Sequence, residues 1–123
     1  MQIATAMSEA LGKYLDLAAD QMKLTAGNVA NIDTPGFKTQ GFDFEKEFAN
    51  AMQSPMSGDS LESIVQPQVG VVDGLVARPD GNTVSMDRES MQLSKSQLQF
   101  RAGIALLKGE FSQVMAAIHM DSK

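Results

Sequence analysis

Apolar residues recur at heptad spacing along both ends of this chain and lose that spacing in between. Near the N-terminus one line takes Ile3, Met7, Ala10, Tyr14, Leu17, Gln21, Leu24, Asn28 and Asn31. The adjacent line takes Ala4, Ser8, Leu11, Leu15, Ala18, Met22, Thr25, Val29 and Ile32. Positions three and four apart share one side of an α-helix, so the spacing predicts a helix over residues 3–32. The combined face is too broad for a two-stranded seam. Gln2, Glu9, Lys13, Asp16, Asp20 and Lys23 form its polar side. A second line takes Met86, Ser90, Leu93, Gln97, Phe100, Ile104, Leu107, Phe111, Val114 and Ile118. Eight of those ten are apolar in a chain that is 43% apolar, so a second helix is predicted over residues 86–118. Long apolar seams outside a compact core need partner helices to cover them. That describes an assembly subunit better than an enzyme.

The punctuation between the helices is explicit. Thr34 precedes Pro35, and a residue before proline is pushed out of the α region. Pro35-Gly36 suits the central positions of a type II turn, which sets Phe37 back against the helix end. Phe44, Phe48 and Met52 are spaced for a short amphipathic helix. The stretch from Gln53 to Gly70 is rich in Ser, Pro and Gly and reads as a flexible linker. Val69, Val71, Val72, Leu75 and Val76 suit short extended pieces, and Pro79-Asp80-Gly81-Asn82 is a turn. Ser85 is placed to cap the second helix, with Asp87 and Glu89 in its first turn. Gly103 and Gly109 inside that helix each cost about 1 kcal/mol relative to alanine, which suggests close approach by a neighbouring helix.

Composition narrows the function classes. The 123 residues suffice for one domain, and nine methionines suit adaptable helix contacts. A formal net charge of −5 disfavours nucleic acid. With no cysteine, disulfides and thiolate chemistry are excluded. No uninterrupted apolar run reaches the ~18 residues of a membrane span. The first positive charge is Lys13, after Glu9, so no secretory signal is expected and export would need another route. His119 is the sole histidine. The pairs Asp16 with Asp20 and Glu45 with Glu47 read as solvated helix faces, not catalytic carboxylates. No phosphate loop, nucleophile elbow, metal spacing or cofactor motif appears, so no catalytic activity is expected.

Two motifs carry a resemblance. Asn28-Val29-Ala30-Asn31-Ile32-Asp33-Thr34-Pro35-Gly36-Phe37-Lys38 closely resembles the Asn-x-Ala-Asn-x-x-Thr-Pro-Gly-Phe-Lys motif of bacterial flagellar rod and hook proteins. Its position directly after the first helix fits as well. Arg78-Pro79-Asp80-Gly81-Asn82-Thr83-Val84-Ser85-Met86-Asp87-Arg88-Glu89 looks like the Asp-Gly-Asn-x-Val-x-x-Asp-Arg-Glu motif of the proximal rod subunits in that family. Gln97-Leu98-Gln99-Phe100-Arg101-Ala102 is similar to their Asn-Gln-x-x-Tyr-x-Ala stretch, with Phe100 for tyrosine. Gly27 stands where the family commonly has asparagine or alanine. The resemblance covers both ends and leaves the middle, residues 50–70, unmatched.

The resemblance implies a structural subunit of the flagellar rod, located in the basal body and exported through the flagellar type III apparatus without a cleaved signal. It implies partners in other copies, other rod subunits, the membrane ring and the ring-to-rod adaptor. It implies termini that are unfolded in the monomer and order on assembly. The expected fold is mainly α. Assembly helices over residues 1–33 and 84–123 pair as a coiled-coil-like layer around an irregular segment, residues 34–83. The expected assembly residues are Ile3, Met7, Leu11, Tyr14, Leu17, Leu24, Leu93, Phe100, Ile104, Leu107, Phe111, Val114 and Ile118. The central segment is thin, so neither seam is expected to be buried within one chain, and a lone monomer should be only partly folded. The helices alone also suit a cytoplasmic helical-hairpin adaptor or an export-associated binding module.

Overall fold

The computed structural model describes residues 6–53 and 66–121. Helix α1 spans Ala6–Ala30, strand β1 Gln40–Gly41, helix α2 Phe44–Gln53, strand β2 Gly70–Val71 and helix α3 Met86–Asp121. The mainly α expectation is met by long helices near both ends and a short one between. Most of the expected linker, residues 54–65, lies outside the described residues, as does Ile3.

Local chemistry sets the element ends. The Phe37 N–H donates to the Thr34 carbonyl at 3.2 Å and Gly36 has φ of 74°, so Pro35-Gly36 forms the expected type II turn. The Asp43 carboxylate accepts from the Lys46 N–H at 3.3 Å and caps α2. Ser85 caps α3, its Oγ accepting from the Arg88 N–H at 3.4 Å and its carbonyl from the Glu89 N–H at 2.9 Å. Of the expected extended pieces, Gly70 and Val71 form a strand, antiparallel to Gly41 and Gln40. Leu75 and Val76 do not.

α1 and α3 run antiparallel, with Asn28 beside Glu89 at one end and Tyr14 and Leu15 beside Gly103 further along. At about 1.5 Å per residue, the 25 residues of α1 and 36 of α3 differ in length by roughly 16 Å. The C-terminal turns of α3 therefore pass beyond the described start of α1. α2 leans on α1 through Tyr14, whose ring meets Phe44 and Phe48 edge-on at 5.1 and 5.6 Å. The Lys13 ammonium donates to the Ala51 carbonyl at 2.8 Å, a cation at the end of α2 where unsatisfied carbonyls gather.

The helix seam differs from the two apolar lines. α1 buries Leu11, Leu17, Ala18, Gln21, Thr25 and Asn28, a strip that runs between the lines and takes members of both. Facing it, α3 buries Glu89, Ser96 and Gly103, set one turn-edge away from the apolar line. Small and polar residues let the backbones approach. A Cβ on Gly103 would sit 2.7 Å from Leu15 Cδ2 and 3.2 Å from Tyr14 Cδ1. The suggestion of close approach thus holds at Gly103. It fails at Gly109, where nothing lies within 4 Å. The apolar line of α3 stays half-buried or exposed, as expected of a seam that one chain does not cover, whereas α1 does bury Leu11, Leu17 and Ala18 of its two lines.

Candidate functional site

The two sequence motifs meet in space and lock together. Past the end of α1 at Ala30 the chain runs through turns whose carbonyls need donors. The fully buried Asn82 supplies them: its Nδ2 donates to the carbonyls of Asn31, Ile32 and Thr34 at 2.9, 3.0 and 2.9 Å. Its Oδ1 accepts from the Val84 N–H at 2.7 Å, and its own N–H donates to Asp80 Oδ1 at 3.0 Å. The Arg78 guanidinium adds hydrogen bonds to the carbonyls of Ile32 and Val84. The Asp-Gly-Asn motif therefore clasps the turn that follows α1, delivered from far along the chain.

The turns themselves stack. The Gly36 N–H donates to the Asp80 carbonyl at 2.9 Å and the Thr83 N–H to the Phe37 carbonyl at 3.1 Å. Gly81 has φ of 85°, and a Cβ there would lie 3.5 Å from the Gly36 Cα. Two glycines at positive φ are needed to bring the turns this close. Lys38 Nζ reaches the Gly81 carbonyl at 2.6 Å, and the Thr39 N–H donates to Thr83 Oγ1 at 2.8 Å.

A second node ties α1 to α3. Asn28 is buried, and its Nδ2 donates to the Gln40 carbonyl at 2.9 Å and to Glu89 Oε2 at 3.1 Å, while its Oδ1 accepts from the Gln40 N–H at 3.0 Å. The other oxygen of buried Glu89 accepts from Arg88 at 2.7 Å. A carboxylate at such depth is tolerated because both oxygens are engaged. Asn28 thus has buried partners for its whole carboxamide. Asn31 behaves differently. It is half-buried and works locally, donating to the Gly27 carbonyl at 2.8 Å and accepting from Thr34 Oγ1 at 3.1 Å.

The remaining motif residues frame the junction. Ala30, Thr34, Pro35, Asp80 and Asp87 are exposed and Phe37 is half-buried. Among the expected assembly residues, Leu11 and Leu17 are buried, and Tyr14, Leu24, Phe100, Ile104, Leu107 and Val114 are half-buried. Met7, Leu93, Phe111 and Ile118 are exposed. Sequence reasoning missed Thr39, Gln40 and Ser96, and it placed Arg78 and Thr83 in the second motif without giving them a role. The seven-residue spacing of Glu89, Ser96 and Gly103 was the available signal for the inner strip of α3. Among the described residues no three His, Asp or Glu side chains group as metal ligands, and no helix is long and apolar enough to cross a membrane. A cleft of about 300 Å³ beside α3 is lined by Gln21, Phe42, Asp43, Val71, Arg88 and Gln92 among others.

An interlocked turn pair between two long helices defines a helix-pair subunit with apolar flanks left open. The profile of the family described as flagella basal body rod protein matches residues 15–38, which include the whole first motif. Flagellar basal body rod protein FlgB of Cereibacter sphaeroides is 30% identical over 116 residues, covering 85% of this chain and 87% of that protein. FlgB of Escherichia coli strain K12 is 28% identical over 116 residues, covering 82% and 84%. FlgB of Yersinia ruckeri is 29% identical over 119 residues, covering 85% and 87%. The chain belongs to the FlgB family of flagellar basal body rod proteins. It is a structural subunit of the basal-body rod, in a family of structural proteins and not of enzymes.

Proposed function

We propose that the subunit builds the rod by polymerising through the flanks of its terminal helices, with residues 34–83 holding the two helices in register. It occupies the proximal part of the rod and contacts other copies, other rod subunits, the membrane ring and the ring-to-rod adaptor. It reaches the rod through the flagellar export apparatus without a cleaved signal, and it has no catalytic role. One observation carries the assembly reading: the apolar line of α3 stays open, with Leu93 exposed at 38% where α3 lies along α1 and Phe111, Met115 and Ile118 at 49, 53 and 52% further along. Exposed apolar stripes of that length mark protein contacts.

Phe111→Asp tests the reading with little risk to the fold, since the side chain is half outside already. A charge forced into a helix contact costs several kcal/mol. The variant should be made and exported normally but fail to enter the rod, leaving cells non-motile. Normal swimming would refute the assembly role of this flank.

A further inference from the structure

The β1–β2 hairpin turns one unpaired edge outward at Val71, and we propose that Leu75-Val76-Ala77 of a neighbouring copy adds to that edge as a third strand. This rests on the proposed polymerisation and gives the central segment a contact of its own. The edge follows from register. The Val72 N–H donates to the Thr39 carbonyl at 2.9 Å, Gln40 stands opposite Val71, and Gly41 opposite Gly70. Hydrogen-bonded and non-hydrogen-bonded positions alternate along an antiparallel pair. Thr39–Val72 and Gly41–Gly70 are thus the bonded positions, and the backbone groups of Gln40 and Val71 point away from the hairpin. Gln40 spends its N–H and carbonyl on the Asn28 carboxamide, at 3.0 and 2.9 Å. Those of Val71 meet no partner among the described residues. The surface here is apolar: Val69 and Val71 share one face and are exposed at 47 and 52%, and residues 66–72 carry no charge.

The incoming strand is identified by the same test. Leu75 and Val76 suit an extended piece by sequence, yet no strand of their own chain takes them. No backbone N–H or carbonyl of residues 75–77 has a partner among the described residues. Val76 is exposed at 90%, more than any other large apolar side chain described. The segment is fixed at both ends. Gly74, at φ of 80°, turns the chain after β2, and the Arg78 N–H donates to the Asn82 carbonyl at 2.9 Å. Gly74-Leu75-Val76-Ala77 is uncharged, in a chain with 20% charged residues and a net charge of −5. The two surfaces therefore meet without burying an ion, and each backbone supplies the donors and acceptors the other lacks. A two-residue edge falls far short of the ~800 Å² per partner that a stable complex buries. The contact accordingly forms between copies already held by their helix flanks, and not between free subunits. Edge and incoming strand are different surfaces of one chain, so the contact repeats from copy to copy in an open helical array.

Val71→Pro tests this, because proline suits an edge strand whose N–H faces outward. The purified variant should keep its circular dichroism and urea midpoint, while its incorporation into basal bodies falls severalfold. Val71→Thr keeps both the N–H and the branched shape and should enter as the parent does. Because the chain has no cysteine, introduced thiols report cleanly. Paired strand positions lie within disulfide reach. Copies with Val71→Cys should therefore link to copies with Val76→Cys in basal bodies, and not to copies with Met52→Cys, which is also exposed. Parental incorporation of folded Val71→Pro, or equal linking to positions 52 and 76, would overturn the strand addition. Should Val71→Pro fail to fold, Val76→Asp decides, since that side chain already stands in solvent; parental incorporation of Val76→Asp would overturn it too. If Phe111→Asp still blocks rod entry in any of these cases, polymerisation through the helix flanks stands and only the added strand is wrong.

Discussion

At the residue scale the weight falls on two asparagines, each with both ends of its carboxamide engaged. Asn82 is the sharper case, because its role depends on donation. Asp at the same position has the same shape but faces three carbonyls with a carboxylate. Asn82→Asp should therefore destabilise more than Asn82→Ala, and each should lose about 1–3 kcal/mol, since three carbonyls of the turn after α1 lose their donor. Urea unfolding monitored by circular dichroism measures both; equal stability of Asn82→Asp and the parent would mean this clasp is incidental. The internal glycines give a contrast of sign. Alanine gains up to about 1 kcal/mol in helix propensity. At Gly109 nothing opposes the gain, so Gly109→Ala should stabilise. At Gly103 the new Cβ meets Leu15 at 2.7 Å, and such overpacking costs about 1–3 kcal/mol. Gly103→Ala should lose stability or at best break even. If both substitutions stabilise equally, the close approach of α1 and α3 at this point is not real.

At the element scale the helix pair is polar at one end and more apolar at the other. Near the turns Gln21, Thr25 and Asn28 face Glu89 and Ser96; further along, Leu11, Tyr14, Leu15 and Leu17 lie nearer Gly103. Thr25 is a flaw in the polar half, a buried hydroxyl with no protein hydrogen-bond partner. Buried polar contacts add little net stability but penalise shifted pairings, so this end fixes register. Protection from amide exchange in the isolated subunit should be graded. It should be greatest around residues 21–32 and 89–100, held by the junction, and least in residues 112–121, beyond the described start of α1. Uniformly fast exchange through both helices would show that the junction does not hold them before assembly.

Helix positions, the type II turn, α2 and the Ser85 cap were legible because each follows from spacing or from one residue's backbone preference. The buried strips were not. Heptad reading picks out the most apolar line of a helix, whereas α3 turns its small and polar line, Glu89, Ser96 and Gly103, to α1. The pairing of Asn82 with the end of α1 was also illegible as mechanism, since it joins residues about fifty positions apart. The sequence marked both motifs without showing that one completes the other.

At the scale of the whole molecule, a hydrogen-bonded hub fixes two long helices while their apolar flanks stay uncovered. That arrangement separates what holds the subunit together from what holds the rod together. The central claim is that neighbouring subunits cover the flank of α3 in the rod. Cysteine placed at Phe111 or Ile118 and challenged with a water-soluble maleimide reports that cover directly, because the chain has no other thiol. Labelling should be rapid in the isolated subunit, where these positions are 49 and 52% exposed, and strongly suppressed in intact basal bodies. Equal labelling rates in both would contradict the account.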